Sequence, residues 1–463
     1  MPMSPHPDIP PLPDHIAGEP PLPSLSLWHR LRLLTQQAVL IALLCLALWP
    51  LAGLYALLRL VLPRPPHIPS LRRYLRLLYR VALEPQPAPG ISPWQRLFLF
   101  VHLLVRGTLL PLRGLAWYLD DLLYGPALSQ TRIVAPLFEL SAARSGSTQI
   151  AHYLEDDPQL VAPSSGQTEI PYLWLWRLFE FAFACGLSKD WLRKTAQASF
   201  PSDFLQRHEL DPLRTDTFEM QFCNAQLVNI TMLLGPATMI DEMDNASISP
   251  CSQDMWRQDF IRYLDAIGRK RLLLARLSGD AVLGDAAPVA GDPRPRRRLM
   301  IKGHFLNVAD DLAHRYPDAC FLAIIRSPAA RLQSVINFHR VQPRPPGTLP
   351  PPFDFLVRRA LQSEIDYCER EQVWFSAPPT GPGRRVVVRF ADYVRDLAGT
   401  MRDVYAQCLD VHEVPPHVPR THTARARSGY AIDRSLSQLH IDRDWLSARL
   451  ADYIAWCGDG PRP

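Results

Sequence analysis

The chain has 463 residues and a formal net charge of +5, with 47% hydrophobic and 21% charged residues. These values leave room for two or three structural units around a large core and exclude a collagen-like or wholly disordered chain. So small a charge on so long a chain does not imply nucleic acid, whereas its bias to Arg supplies the planar cation that suits phosphate oxygens.

Proline (47 residues) outnumbers glycine (22) and gathers in the N-terminal tail and interior loops, as stiff connectors would. The eight cysteines are scattered singly, without a CxxC pair or His/Cys metal spacing, so reduced buried thiols and no metal site are expected.

Residues 1–26 are Pro-rich, lack a basic leader and read as a disordered tail. From Leu33 to Leu62 the chain is almost wholly apolar, and about 20 such residues suffice to cross a bilayer. A tilted transmembrane helix is the first reading, a hairpin returning at Pro50 the second, and a buried soluble helix the third, since the run has no polar face. Arg30 and Arg32 precede it, while Arg59, Arg64, Arg72, Arg73, Arg76 and Arg80 follow it. That asymmetry places the body on the cytoplasmic side of a bacterial inner membrane. Two glycosylation sequons, at Asn229 and Asn245, keep a Golgi-type membrane as the alternative. Trp94–Leu119, interrupted by Arg106 and Arg113, reads as a pair of amphipathic helices against the membrane or the body.

Beyond residue 130 the pattern turns α/β. β-prone runs at Ile133–Leu140, Ala237–Ile240, Leu299–Ile301, Phe321–Ile325 and Val386–Phe390 are separated by helical stretches such as Thr148–Glu155, Asp254–Leu274, Val308–Arg315 and Pro328–Phe338. The alternation predicts a central parallel sheet covered on both faces, a three-layer α/β/α domain preceded by membrane-associated helices. Gly279–Arg298 reads as an exposed loop. Four parts are expected: the tail 1–26, a membrane anchor 27–64, a membrane-proximal helical region 65–130 and a catalytic domain 131–463.

Two motifs carry chemistry. After the first strand comes Ser141-Ala-Ala-Arg144-Ser145-Gly146-Ser147-Thr148, leading into a helix. A small-residue turn at a helix N-terminus points backbone N–H groups at an anion, and the hydroxyls of Ser147 and Thr148 add donors. It is no Walker A, because the GxxxxGK[ST] spacing is absent. The second motif, Arg326-Ser-Pro-Ala-Ala-Arg-Leu-Gln-Ser334, again leaves a strand for a helix, so Arg326 emerges at the carboxyl edge of the sheet and Ser334 lies about two turns on.

Together the motifs resemble those of the P-loop-like sulfotransferases, in the branch with an R-S-G-[ST]-T loop and a later R-x-P-x-x-x-x-x-S element. The resemblance implies a fold of the P-loop-like type and a donor, 3′-phosphoadenosine 5′-phosphosulfate (PAPS), used without a metal. Arg144, Ser145, Gly146, Ser147 and Thr148 would hold its 5′-phosphosulfate, and Arg326 and Ser334 its 3′-phosphate. Pro317-Asp318-Ala319 matches the family's "fPDA" run. Val388-Arg389-Phe390-Ala391-Asp392-Tyr393 looks like its "vrYEdL" element with Phe390-Ala391 in place of Tyr-Glu. Lys302-Gly-His304 stands where the family often writes K-[ST]-P-x-H, with the Pro absent and the His displaced.

Sulfuryl transfer needs an in-line acceptor, a base, and cations for the charge that develops. Arg144 and Lys302 are the expected cations. Glu169, shortly after the loop's helix, is the expected base, since tyrosylprotein sulfotransferases carry a catalytic Glu there; Asp241, with Glu242 and Asp244, and His304 are its rivals. The aromatic run Tyr172–Phe183 is read either as the lining of a site for an amphiphilic or glycan acceptor, or as core and membrane contact. Arg425, Arg427 and Ser428 resemble loops that close over the nucleotide. A kinase-like phosphotransferase, which would need a Walker A lysine, and a non-catalytic membrane scaffold are the competing classes.

Overall fold

The structure, a computed structural model, describes residues 26–83, 92–198, 200–208, 210–227, 254–283, 296–339, 353–379, 381–419 and 435–458. The tail, the run Ala237–Ile240, Asp241 with its two neighbouring acids, both sequons and the loop bearing Arg425 lie outside them.

Four helices come first: α1 (Leu27–Leu58), α2 (Leu71–Leu83), α3 (Pro93–Thr108) and α4 (Leu110–Gln130). The body opens with β1 (Leu137–Glu139), α5 (Ser147–Glu155) and β2 (Leu160–Val161), then runs through α6 (Ser165–Glu169), α7 (Leu173–Ala184), α8 (Lys189–Gln197), α9 (Ser202–Arg207) and α10 (Phe218–Ala225). After α11 (Asp254–Leu277) come β3 (Arg298–Lys302), α12 (Ala309–Arg315), β4 (Cys320–Ile325), α13 (Pro328–His339) and α14 (Phe353–Ser376). The chain ends in β5 (Arg384–Arg389), α15 (Phe390–Arg395), α16 (Leu397–Leu409), α17 (Arg443–Arg449) and α18 (Ala451–Cys457).

The strands form one five-stranded sheet in the order β2-β3-β1-β4-β5, every pairing parallel. Alternate residues feed opposite cores, as the twofold period of a strand requires. Phe138, Ile301 and Phe321 face a cluster shared with α11 and the N-terminal helices, while Leu137, Met300 and Leu322 face α5 and α16. The α/β reading and its parallel sheet therefore hold.

The strand ends differ from the sequence expectation for local reasons. β1 starts only at Leu137, because Pro136 lacks an N–H for the ladder and Ala135 sits at φ +44°. Ala135 N–H instead donates to Asp318 Oδ2 at 2.8 Å, so the Pro-Asp-Ala run pins the head of the strand. Phe390, expected to end β5, begins α15. The two residues of β2 are too few to register as a periodic signal.

The hairpin reading of the first helix is corrected: α1 is a single helix of 32 residues that passes through Pro50 without a break. The helices at 65–130 pack directly onto the body. Asp120 of α4 is fully buried, accepts the N–H groups of Leu173 and Trp174 at the head of α7, and pairs with Lys270 of α11 at 2.8 Å.

Candidate active site

β1 is flanked by β3 on one side and β4 on the other, while its own chain continues outward to β2. Ligands of open parallel sheets bind beyond the strand carboxyl ends at such a reversal. Both anion motifs converge there. The loop after β1 holds Arg144 at φ +65° and Gly146 at φ +97°, turning the backbone into the uncapped N-terminus of α5. Gly146 is required twice, by its dihedral and because a Cβ there would lie 2.7 Å from the Phe390 ring.

The second motif locks onto the first. Arg326 donates to the Arg144 carbonyl at 2.9 Å, and Arg144 Nε donates to Ser334 Oγ at 2.9 Å. The Arg326 guanidinium stacks over the Phe390 ring at 4.3 Å, so Phe390 is a wall shared by the loop and its cation. The sequence marked Phe390 only as a departure from a Tyr; its place in the strand-end motif was the available signal. Arg331, one turn before Ser334, is buried and committed elsewhere, to Glu364 and Glu371 at 2.8 Å each and the Tyr453 hydroxyl at 3.1 Å.

The remaining chemistry lies at the ends of β1 and β3. Glu139 and Lys302 are register partners, and both are buried. Glu139 accepts from the Ser141 N–H and from the Ser141 hydroxyl, and burial raises its pKa to about 7 against the opposing pull of Lys302. The Ser141 oxygen in turn accepts the Ile324 N–H at 2.7 Å, which ties β1 to β4. Lys302 Nζ reaches Asp216 at 3.3 Å, and His208 Nε2 reaches the same carboxylate at 2.9 Å. Burial alone would raise the Asp216 carboxyl, but Lys302 and His208 hold it well below the usual range.

His304 touches the loop directly. Its Nδ1 lies 2.5 Å from the Ser141 carbonyl, which can only accept, so Nδ1 carries the proton and Nε2 keeps its lone pair. Burial and the charge of Lys302 lower its pKa to about 4, leaving it neutral at pH 7. Glu219, buried behind it, is raised to about 7 by burial, and a Cβ at Gly303 would collide with its Oε2 at 2.3 Å. The Gly in Lys302-Gly-His304 therefore leaves space for this carboxylate.

Glu169 stands at the end of α6 and accepts from Asn224 of α10 at 3.0 Å, with Arg106 of α3 as the cation facing it. No bond joins it to the Arg144 loop among the described residues. Of the aromatic run, Trp176 is packed in a cluster with Leu273 and Leu274 while Phe181 is 68% exposed. The sequence reading passed over His208, Asp216 and Glu219, which no local motif signals because only the fold brings them to the end of β3.

The residues fit an anionic ligand. Ser145 is buried in the loop and its hydroxyl has no partner among the described residues, a costly state that a bound anion would relieve. Two arginines, two further hydroxyls and an open helix N-terminus surround it. Fold and site thus define a parallel α/β protein with a cationic, hydroxyl-lined loop at the carboxyl edge of its sheet.

The sulfotransferase family model matches residues 136–411, more than half of the chain, and the protein belongs to that family. Its fold is that of sulfotransferase STF9 from Mycobacterium avium, with a TM-score of 0.51 and 16% identity over 84% of this chain and 97% of that one. Sulfotransferase STF1 from Mycobacterium tuberculosis H37Rv is similar to the same degree, at 0.50 and 17% over 82% and 92%. No curated protein sequence matches it significantly. Family and fold make it a transferase of sulfuryl groups.

Proposed function

We propose that the protein moves the sulfuryl group of PAPS to a hydroxyl on a lipid, glycan or other amphiphilic acceptor at a membrane, with its catalytic body on the cytoplasmic face. The observation that carries the reading is the bonding of the two anion motifs into one site through Arg326, Arg144 and Ser334. Arg144 and the 145–148 loop would bind the 5′-phosphosulfate, and Arg326 with Ser334 the 3′-phosphate. The donor brings a sulfur–oxygen bond already activated by a phosphate leaving group. Lys302 and Arg144 offset the charge that gathers on the bridging oxygen as that bond breaks.

His304 is the residue we favour to take the acceptor's proton, because it touches the loop and presents a neutral ring with a free lone pair at Nε2. Glu169 is the rival, supported by the family pattern. The amphiphilic acceptor is supported by the two apolar runs, Leu27–Leu58 and Pro93–Gln130, each long and apolar enough to enter a membrane.

Calorimetry with 3′-phosphoadenosine 5′-phosphate, without magnesium, tests the donor site. Removing a charge-assisted contact worth about 1.5–3 kcal/mol, Arg326→Ala should weaken binding roughly tenfold to a hundredfold. Absence of binding by folded wild-type protein would refute the donor. In the same protein His304→Ala should keep nucleotide affinity and lower sulfuryl transfer about 10²–10⁴-fold. If Glu169→Ala has that effect and His304→Ala does not, the role returns to Glu169.

A further inference from the structure

We infer that α1 lies in the plane of the membrane, seated in one leaflet, and does not cross it. The inference deepens the proposed membrane association and rests on it.

A helix that spans alone projects from the polar body into hydrocarbon. α1 instead runs beside it along its whole length. Its half-buried residues, Arg30, Leu34, Ile41, Leu48, Tyr55 and Leu58 among them, recur every three to four positions, the seam of a helix packed lengthwise on a neighbour. The neighbour is the α3–α4 run. Arg30 lies over the Trp94 ring at 5.6 Å near the start of both helices, and Tyr55 stacks on Tyr118 at 5.9 Å near the far end. At that far end, the Tyr55 ring also fills the space a side chain would take at Gly114. α1 and α3–α4 are therefore parallel and level.

α2 fixes the depth of this pair. It runs back along α3, with Tyr74 donating to the Leu103 carbonyl at 3.1 Å and Arg96 to the Val81 carbonyl at 2.8 Å. On α2, Arg73 bonds Gln226 at 2.9 Å and Asp259 at 3.2 Å, while Arg72 and Arg76 are exposed. An α1 standing upright would carry all of these groups, and part of the catalytic body, into the hydrocarbon. Each central Arg costs about 2.5–3.5 kcal/mol even on the most lenient scale. At 32 residues α1 is also about 48 Å long, well beyond the ~30 Å of a bilayer core.

Lying flat removes the conflict. None of α1 is buried in the protein, and Val39, Leu43, Leu46 and Leu57 are about half exposed or more. α4 exposes apolar residues as well, Leu122 at 78%. Trp28 and Trp49 are exposed on the same helix, and aromatic residues of that kind favour the headgroup level. The exposed Arg72 and Arg76 of α2 match an anionic leaflet. One leaflet is the occupant that suits a face both apolar and rimmed by cations; a second copy of the chain would have to bury those cations.

The test is thiol labelling of the full chain in sealed bacterial membranes. One reporter is Cys185, exposed on the body, in a Cys45→Ser/Cys251→Ser background. The other is Ser4→Cys, ahead of α1, with Cys185→Ser added. A membrane-impermeant maleimide is applied to intact spheroplasts and to inside-out vesicles. The inference expects both reporters to react from the same face. Reaction from opposite faces would mean that α1 crosses, overturning the inference while leaving membrane association intact. A chain that stays in the supernatant, as monomer or with α1 covered by a second copy, would overturn both; nucleotide binding measured on that soluble protein would still decide the donor reading.

Discussion

At Ser141 one residue serves three strands. Its N–H and hydroxyl meet Glu139 of β1, its oxygen receives the Ile324 N–H of β4, and its carbonyl receives His304 just beyond β3. Nothing in the sequence distinguishes this serine from its neighbours, since its importance depends on the strand order. The cations were legible, because Arg144 and Arg326 stand in spaced motifs. The acids around Lys302 were not, because Asp216 and Glu219 come from a segment with no recognisable pattern.

Their burial has a consequence for stability. Glu139 titrates near 7 in the fold and near 4.5 when exposed, so the native state binds the extra proton in that window. Its share of stability is whole below about pH 4.5 and is lost as pH rises through 7. Glu219 contributes in the same sense. Glu139→Gln, which keeps an acceptor for Ser141, should therefore make thermal unfolding less sensitive to pH between 5 and 8 and raise the midpoint at pH 8. An unchanged slope would show that Glu139 is already ionised at pH 5.

Among the elements, β3 and β4 were the most readable, being apolar runs between turn signals, and their observed bounds differ from expectation by one residue at most. Hydrophobic pattern alone could not show how α1 sits, since a run apolar on every side has no periodicity to report. α13 illustrates a different gap. Its Arg331 lies inside the recognised motif, yet it is fully buried and committed to α14 and α18 through Glu364, Glu371 and Tyr453. That cluster anchors α13, the helix that also carries Ser334. Arg331→Met would strand two buried carboxylates and should cost about 3–5 kcal/mol in urea unfolding. Restored stability in the triple variant that also carries Glu364→Gln and Glu371→Gln would confirm that stranded charge is the cause, whereas a single variant as stable as wild type would remove the cluster from this role.

For the whole molecule, strand–helix alternation was enough to anticipate a parallel sheet with helices on both faces, because buried parallel strands leave few other arrangements. It could not reveal that α2, α3 and α4 share a core with the sheet, which rests on contacts such as Asp120 with Lys270, far apart in sequence. The helices of the region 65–130 thus pack as part of the body.

An α1 resting along one leaflet also changes the dimension in which the enzyme meets its acceptor. Both partners would diffuse in a sheet, so encounter frequency would follow acceptor per unit area and be indifferent to the volume of the surrounding solution. Adding inert phospholipid at a fixed total amount of acceptor should then slow turnover in proportion to the dilution, while adding buffer should not. A rate that tracks bulk volume instead would place the acceptor in water.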